Sequence, residues 1–222
     1  MLLAGIVGSG IMAERLAGGN AAVALLANAL ATGGVLVAAI LAFGPISGAH
    51  LNPAVTLCDA LQGGLSRRDA CAYVGAQFCG AIAGVGLANA MFGEPIFFAS
   101  HHVRHGPALT LSEFVATFGL LVVIWGCSRY RSNVTAFAVA AYIVGAYWFT
   151  ASTSFANPAV TIARSLSDTF AGIAPSDVPW FIAAELLGAI SATVLFAWLS
   201  PRELAAEAVV APRESAKGER SS

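Results

Sequence analysis

The 222-residue chain is 58% hydrophobic and only 10% charged, whereas a soluble domain carries about 25% charged residues. So few charges exclude a soluble globular domain and indicate an integral membrane protein. The net charge of −1 gives no sign of a nucleic-acid partner, and the four cysteines follow no metal-ligand or redox spacing, so we interpret them as small packing residues.

Six apolar segments are compared with the roughly 20 residues that a membrane-spanning helix needs. They cover residues 1–13, 20–43, 70–92, 109–127, 133–150 and 179–199. The first segment would rise only about 20 Å as a helix, against a hydrocarbon core of about 30 Å. We therefore expect that the chain is truncated or that its true start lies upstream. Residues 201–222 are polar and predict a disordered cytoplasmic tail.

The basic residues predict the orientation of these spans, because cytoplasmic loops carry an excess of Lys and Arg. With the N-terminus inside and six crossings, eight basic residues fall on the inner side and three on the outer side. The inner residues are Arg67, Arg68, Arg129, Arg131, Arg202, Arg213, Lys217 and Arg220, and the outer residues are Arg15, Arg104 and Arg164. We therefore predict a multi-pass protein of the inner (plasma) membrane with both termini cytoplasmic.

A five-residue sequence, Asn-Pro-Ala-Val-Thr, occurs twice, at 52–56 and at 157–161. The repeat extends further, since QFCGAIAG at 77–84 resembles ELLGAISA at 185–192. Each copy contains three spans, and because three is odd the second copy enters from the opposite side, as an inverted-topology repeat. The predicted organisation is one channel domain, 1–200, with repeat one at 1–92, an outer loop at 93–108, repeat two at 109–200 and a tail at 201–222.

Each repeated motif predicts a short helix that begins in mid-membrane. Asn caps a helix and Pro fits its first position, as in Asn52-Pro53-Ala54 and Asn157-Pro158-Ala159. Two such helices entering from opposite faces would meet at the positive ends of their dipoles. The two Asn amides could then donate hydrogen bonds to a passing solute, and extended backbone would offer carbonyl acceptors. The residues expected to line the path in this way are Gly48, Ala49, His50, Thr153, Phe155 and Ala156.

The chain resembles the aquaporin and glycerol-facilitator family over nearly its whole length. The matching sequences are SGAHLNPAVT (47–56), AQFCGAIAG (76–84), SEFVATFG (112–119) and FANPAVT (155–161). The resemblance implies an all-α membrane protein with six transmembrane helices and two re-entrant half-helices, assembled in lipid as a homotetramer with a pore in every subunit. It also implies passive conduction of water or small neutral solutes, and an inward carboxylate at Glu113 that supports the pore loops, with Glu185 a less certain second.

Selectivity in this family is set at four positions on the outer side of the motifs. Counting from the two motif asparagines gives Thr32, Gly145, Ser154 and Val160. Water-selective members generally have an aromatic residue, His and Arg at the first, second and fourth positions, and glycerol members keep the Arg. We therefore expect a wide, uncharged constriction that passes water, polyols, urea-like molecules or metalloid hydroxides such as arsenous acid. If the count slips by one residue, Phe155 narrows the pore and a water-selective channel is the alternative.

Several other polar residues allow two interpretations each. Arg164 lies one turn beyond Val160 and either supplies the missing charge in the vestibule or, as we favour, complements its helix end and pairs with Asp168. The outer-loop histidines, His101, His102 and His105, are interpreted as a solvated loop rather than a metal or pH-sensing site.

Two other functional classes are weaker. A secondary transporter can also use inverted repeats and broken helices, but no paired membrane carboxylates flank the motifs to hold a coupling ion. A membrane enzyme would need a metal-ligand cluster or a nucleophile beside a base, and the sequence shows neither. We therefore predict a passive channel without a cofactor, a bound metal or enzymatic activity.

Overall fold

The computed structural model describes residues 1–199, so the predicted polar tail at 201–222 lies outside the described residues. Within 1–199 the regular secondary structure is helical, and this part of the chain contains no strand. The helices are α1 (Leu2–Leu16), α2 (Ala21–Ser47), α3 (Pro53–Gln62), α4 (Arg67–Met91), α5 (Pro107–Tyr130), α6 (Thr135–Phe149), α7 (Pro158–Arg164) and α8 (Val178–Leu199). A short 3-10 turn, Ser132–Val134, precedes α6.

Five helical segments of the described chain are long and apolar enough to cross a membrane. They are α2, α4, α5, α6 together with its 3-10 turn, and α8. The fifteen-residue α1 packs against α2 and α4, just as α5 packs against α6 and α8 in the second half. The first helix of each half therefore has equivalent partners, and the half-helices α3 and α7 complete the predicted all-α architecture with its two copies.

Local sequence signals place the helix starts. The Asn20 side chain accepts hydrogen bonds from the backbone N–H groups of Ala22 and Val23 at the start of α2, and Ser66 caps α4 through the Asp69 N–H. Pro107 occupies the first turn of α5, where its missing N–H has no helical partner to lose.

Glycines allow the helices of each half to approach closely. A methyl group at Gly84 of α4 would lie 3.0 Å from the Leu3 Cβ and 3.2 Å from the Ala4 nitrogen of α1. A methyl group at Gly188 of α8 would lie 3.0 Å from the Phe118 nitrogen of α5 and even nearer the Phe114 carbonyl. Such close backbone contacts are how helices associate in lipid, where the hydrophobic effect does not drive them together.

Candidate functional site

The two loops that lead into the half-helices share an unusual backbone conformation. Positive φ angles occur at Gly48, Ala49 and Leu51 in the first loop, at 79°, 45° and 53°. They occur at Thr153, Ser154 and Ala156 in the second loop, at 64°, 52° and 49°. These are the same three offsets from the motif asparagine in both copies. Five of the six residues are not glycine, so each loop stores strain on the order of 1–3 kcal/mol per residue that its surroundings must hold.

The two motif asparagines cap their own helices and reach across to the opposite loop. Asn52 Oδ1 accepts from the Ala54 N–H at 2.9 Å, and its Nδ2 donates to the Ala156 carbonyl at 2.7 Å. Asn157 Oδ1 accepts from the Ala159 N–H at 3.0 Å, and its Nδ2 donates to the Leu51 carbonyl at 2.8 Å. Each side-chain amide has two N–H groups. One donates to the opposite loop and so joins the two halves, and the other is left for a further acceptor.

A buried carboxylate holds the second loop. Glu113 of α5 is fully buried. Its Oε1 accepts from the Phe155 N–H at 2.9 Å and its Oε2 from the Ala156 N–H at 2.7 Å. Two charge-assisted hydrogen bonds thus fix the peptide units immediately before Asn157, which agrees with the supporting role that the family resemblance implies for Glu113.

Equivalent polar pairs connect each half-helix to a neighbouring membrane span. Gln77 of α4 donates to Thr56 Oγ1 at 2.9 Å, and Thr161 Oγ1 donates to Glu185 Oε1 of α8 at 2.5 Å. Gln77 and Glu185 occupy the same position in the repeated segments, as do the two threonines. In the first copy His50 Nδ1 also lies 3.2 Å from Thr56 Oγ1. Each half-helix therefore has one side-chain anchor on its neighbouring span.

One cavity of about 120 Å³ passes both motif asparagines. The outer end of the cavity is defined as the end nearest the loop at 92–106. Arg104 of this loop donates to the Ser152 carbonyl. Of the predicted path residues, Gly48, Ala49, His50, Phe155 and Ala156 line the cavity, whereas Thr153 does not. Pro53, Ala54, Pro158 and Ala159 are buried within the helix starts and do not line the cavity either.

Three of the four predicted filter residues, Thr32, Ser154 and Val160, line this cavity. The placement of Gly145 is wrong, because it lies on the exposed side of α6 with no neighbouring atom within 4 Å of an added Cβ. Ile143 and Tyr147 line the cavity instead. They are four residues apart and share a helix face, whereas Gly145 lies midway between them and faces away.

Tyr147 changes the expected chemistry of the constriction. Its hydroxyl lies 3.2 Å from Thr32 Oγ1, and both side chains are buried. Phe155 also lines the cavity beside Ser154. The cavity wall therefore carries two aromatic rings, neither of which stands at the four positions predicted for the filter. The sequence count missed Tyr147 because it used only the distance along the chain from Asn157. It did not consider which face of α6 turns toward the cavity.

The favoured interpretation of Arg164 is also wrong. Arg164 is buried, lines the cavity and donates through Nε to the Ala171 carbonyl. Asp168 pairs with His101 instead, accepting from its backbone N–H at 2.8 Å and lying 2.8 Å from its Nδ1. Those hydrogen bonds, the backbone one first, lower the pKa of Asp168 below its usual value. Arg164 does not pair with Asp168 because tertiary contacts decide its position: the Phe155 ring and the Ala171 carbonyl hold the guanidinium at the cavity.

The outer loop is attached to the segment after α7, although the His101 and His105 side chains are largely exposed to solvent. Besides the His101–Asp168 pair, His105 Nδ1 lies 3.4 Å from Asp177 Oδ1. Arg104 donates to the Gly172 carbonyl at 2.7 Å and to the Ser152 carbonyl at 3.2 Å. No sequence signal marked Arg104, because its partners are backbone carbonyls of distant loops. Within residues 1–199, no group of three His, Cys, Asp or Glu side chains is placed to hold a metal ion.

Comparison with known proteins identifies relatives along most of the chain. A family model described as major intrinsic protein matches residues 1–154. The chain is 54% identical over 199 residues to aquaglyceroporin AqpS of Rhizobium meliloti (strain 1021), which covers 90% of this chain and 85% of that protein. It is 32% identical over 193 residues to aquaporin Z of Bradyrhizobium diazoefficiens, covering 80% of each. It is 36% identical over 128 residues to a glycerol uptake facilitator of Streptococcus pneumoniae, covering 50% of this chain and 54% of that one.

Proposed function

The chain belongs to the major intrinsic protein family, and from that premise we propose that it is a passive channel for water and small neutral solutes such as glycerol. One observation carries the proposal: each motif asparagine caps one half-helix and donates to the loop of the other, beside a shared cavity. The non-helical backbone before each asparagine is thus bonded to the opposite half or lines the cavity, as backbone at membrane depth must be. Relatives named as an aquaglyceroporin and a glycerol uptake facilitator agree with it.

The lining of the outer cavity suits a solute with hydroxyl groups on one side and carbon on the other. Thr32, Tyr147 and Ser154 bring three hydroxyl groups, and Ser154 Oγ is buried without a hydrogen-bond partner among the described residues. Val160 and the Phe155 ring supply apolar surface on the same cavity. A polyol matches both kinds of wall, because it bonds to the hydroxyls while its carbon atoms contact Val160 and Phe155. Urea-like molecules and neutral metalloid hydroxides carry the same type of acceptor and donor groups.

A water-selective channel is the second candidate, and the two aromatic rings favour it. Tyr147 and Phe155 both line the cavity, whereas the four positions predicted for the filter hold no aromatic residue. Pore diameter and lining groups decide which solutes pass. The two candidates therefore differ in one measurable property, which is whether a glycerol-sized molecule passes the constriction at all.

We further propose that the channel is a homotetramer in the inner (plasma) membrane with both termini cytoplasmic. The orientation is supported by the distribution of Lys and Arg residues, with eight on the inner side and three on the outer side. The outward faces of the spanning helices are apolar and suit contact with lipid and with neighbouring copies; examples are Leu30, Leu87, Leu187 and Val194. A C-terminal reporter detected outside the cytoplasm would refute the orientation, and crosslinking that stops at a monomer would refute the tetramer.

Light scattering of vesicles that contain the purified protein tests the function. Water, glycerol and arsenous acid gradients are applied in turn, and protein-free vesicles provide the background. We expect solute flux that rises linearly with the gradient and does not depend on ion gradients, as for a passive channel. The control is an Asn52→Leu, Asn157→Leu variant, which lacks the reciprocal amide bonds and should lose flux of every solute. Water flux with complete refusal of glycerol would support the water-selective candidate, and saturable, ion-coupled flux would refute a channel.

A further inference from the structure

A buried cation in the outer cavity has more hydrogen-bond donors than partners. Arg164 is 2% exposed and lines the cavity. Its guanidinium has five N–H groups, and within residues 1–199 its one hydrogen bond runs from Nε to the Ala171 carbonyl, with no ion pair. Buried polar groups in native proteins are almost always satisfied. The remaining N–H groups, on the two Nη atoms, therefore require a partner that enters the cavity.

We propose that Arg164 selects solutes at the outer cavity, where it excludes cations and donates hydrogen bonds to the oxygen atoms of a small neutral solute. This proposal rests on the channel function proposed above. Val160, at the position where the family resemblance implies an Arg, lies one helical turn inward of Arg164 on α7. Four residues of helix rise about 6 Å. The arginine is therefore attached one turn further along α7, and its side chain lines the same cavity as Thr32 and Tyr147.

Stacking and a carbonyl anchor fix the direction of the guanidinium. The guanidinium carbon of Arg164 lies 3.4 Å from the centroid of the Phe155 ring, and the Phe181 ring is nearly perpendicular to that ring with 5.2 Å between the two centroids. The Phe155 backbone N–H donates to Glu113, and its buried ring packs on Phe181, so both the backbone and the ring are held. A planar cation held against a fixed ring presents its free N–H groups in one direction at little cost in side-chain entropy.

A second arginine on the same ring acts as the scaffold. Arg104 lies 5.1 Å from the Phe155 centroid, and its Nε and Nη1 donate to the Gly172 and Ser152 carbonyls. Arg104 does not line the central cavity, whereas Arg164 does. Of the two cations, Arg164 is therefore the one that can meet a solute.

The positive charge of Arg164 accounts for the exclusion of cations from a pore that has Val160 at the position where the family resemblance implies an Arg. We consider a monovalent cation in the cavity that Arg164 lines, at a separation on the order of 6 Å from the guanidinium. Coulomb's law with an effective dielectric constant of about 20 then reduces its occupancy on the order of 100-fold. A neutral polyol meets no such penalty and gains hydrogen bonds from the free N–H groups. The channel can thus be wide enough for glycerol and still exclude cations of similar size.

The test compares solute and cation permeation in vesicles that contain the full-length protein. The Arg164→Met variant removes the charge and keeps much of the volume, and the Arg164→Lys variant keeps the charge. Arg129→Met is the matched control, because Arg129 also lies over a phenylalanine ring, Phe196, at 5.4 Å and donates to a carbonyl, but lies outside the cavity wall. Glycerol flux is followed by light scattering, and methylammonium permeation by a potential-sensitive dye.

We expect wild type, Arg164→Lys and Arg129→Met to exclude methylammonium. We expect Arg164→Met to admit it at least about 10-fold faster and to lose glycerol flux relative to water flux. Arg164→Gln, which keeps donors but no charge, is measured in parallel so that a folding defect in one variant does not decide the outcome. Methylammonium exclusion by Arg164→Met or Arg164→Gln in vesicles that conduct glycerol would overturn this inference alone. Absence of glycerol flux in the wild type would instead refute the proposed function.

Discussion

Replacing Glu113 with Gln should release the second pore loop and abolish conduction. The Glu113 carboxylate accepts from the N–H groups of Phe155 and Ala156, at 2.9 and 2.7 Å. A glutamine side chain has one acceptor oxygen, so one of these buried N–H groups would face an NH₂ group. Losing a charge-assisted hydrogen bond removes about 1.5–3 kcal/mol, and leaving a buried donor unsatisfied costs about 1–3 kcal/mol more.

That loss is comparable to the strain that the carboxylate holds in place. The loop has positive φ at Thr153, Ser154 and Ala156, and each such residue costs on the order of 1 kcal/mol or more. Without the anchor, the loop can relax to ordinary torsions, and the Ala156 carbonyl then no longer meets the Asn52 amide. The reciprocal bond between the two halves would be lost together with the cavity wall.

The assay combines water and glycerol flux in vesicles with the thermal stability of the purified protein in detergent. Glu94→Gln is the control, since Glu94 lies in the outer loop and makes only an exposed ion pair with Arg15. We expect Glu113→Gln to lose both fluxes and to unfold at a lower temperature, and Glu94→Gln to match the wild type. Normal flux in Glu113→Gln would refute the reasoning, because it would show that the loop keeps its torsions without the carboxylate.

The remaining predictions concern the corrected filter, the helix contact and the outer loop. Tyr147→Ala should raise glycerol flux relative to water flux, whereas Gly145→Ala should change neither by light scattering; the opposite result would return Gly145 to the constriction. Gly188→Ala should lower thermal stability by forcing α8 away from α5, and an unchanged melting temperature would contradict the close contact. Asp168 has a lowered pKa, so its attachment to His101 should hold above the unfolded-state pKa and fail as the pH falls through the lowered value. Protease sensitivity of the outer loop would report this, and Asp168→Asn should lose the pH dependence.

The architecture could be predicted because the membrane and the repeat both constrain it. Spans must approach the thickness of the bilayer, and the second Asn-Pro-Ala-Val-Thr sequence fixes where the second half-helix starts. The predicted starts of the half-helices at Pro53 and Pro158 agree with the structure. A supporting role for Glu113 was implied by the family resemblance, and its bonds to the second pore loop agree with that role.

The side chains of the constriction could not be predicted in the same way. α6 is apolar around its whole circumference, so its sequence gives no amphipathic signal to show that Ile143 and Tyr147 face inward while Gly145 faces outward. Arg164 had an attractive local partner four residues on, but its position is decided by the Phe155 ring and the Ala171 carbonyl. In both cases a position was inferred from the number of residues along the chain, whereas contacts between distant parts of the fold decide it.

The two halves are alike in the groups that hold the backbone and different in the groups that face the solute. The asparagine cross-bonds, the positive-φ offsets and the threonine anchors recur in both copies. By contrast, the seventh residue after each motif asparagine is Asp59 in the first copy and Arg164 in the second. Arg164 and Val160 take no part in the reciprocal bonds, so they can be exchanged without disturbing the contact between the half-helices. We therefore propose that selectivity is set by side chains that differ between the two copies, on a backbone framework that both copies share.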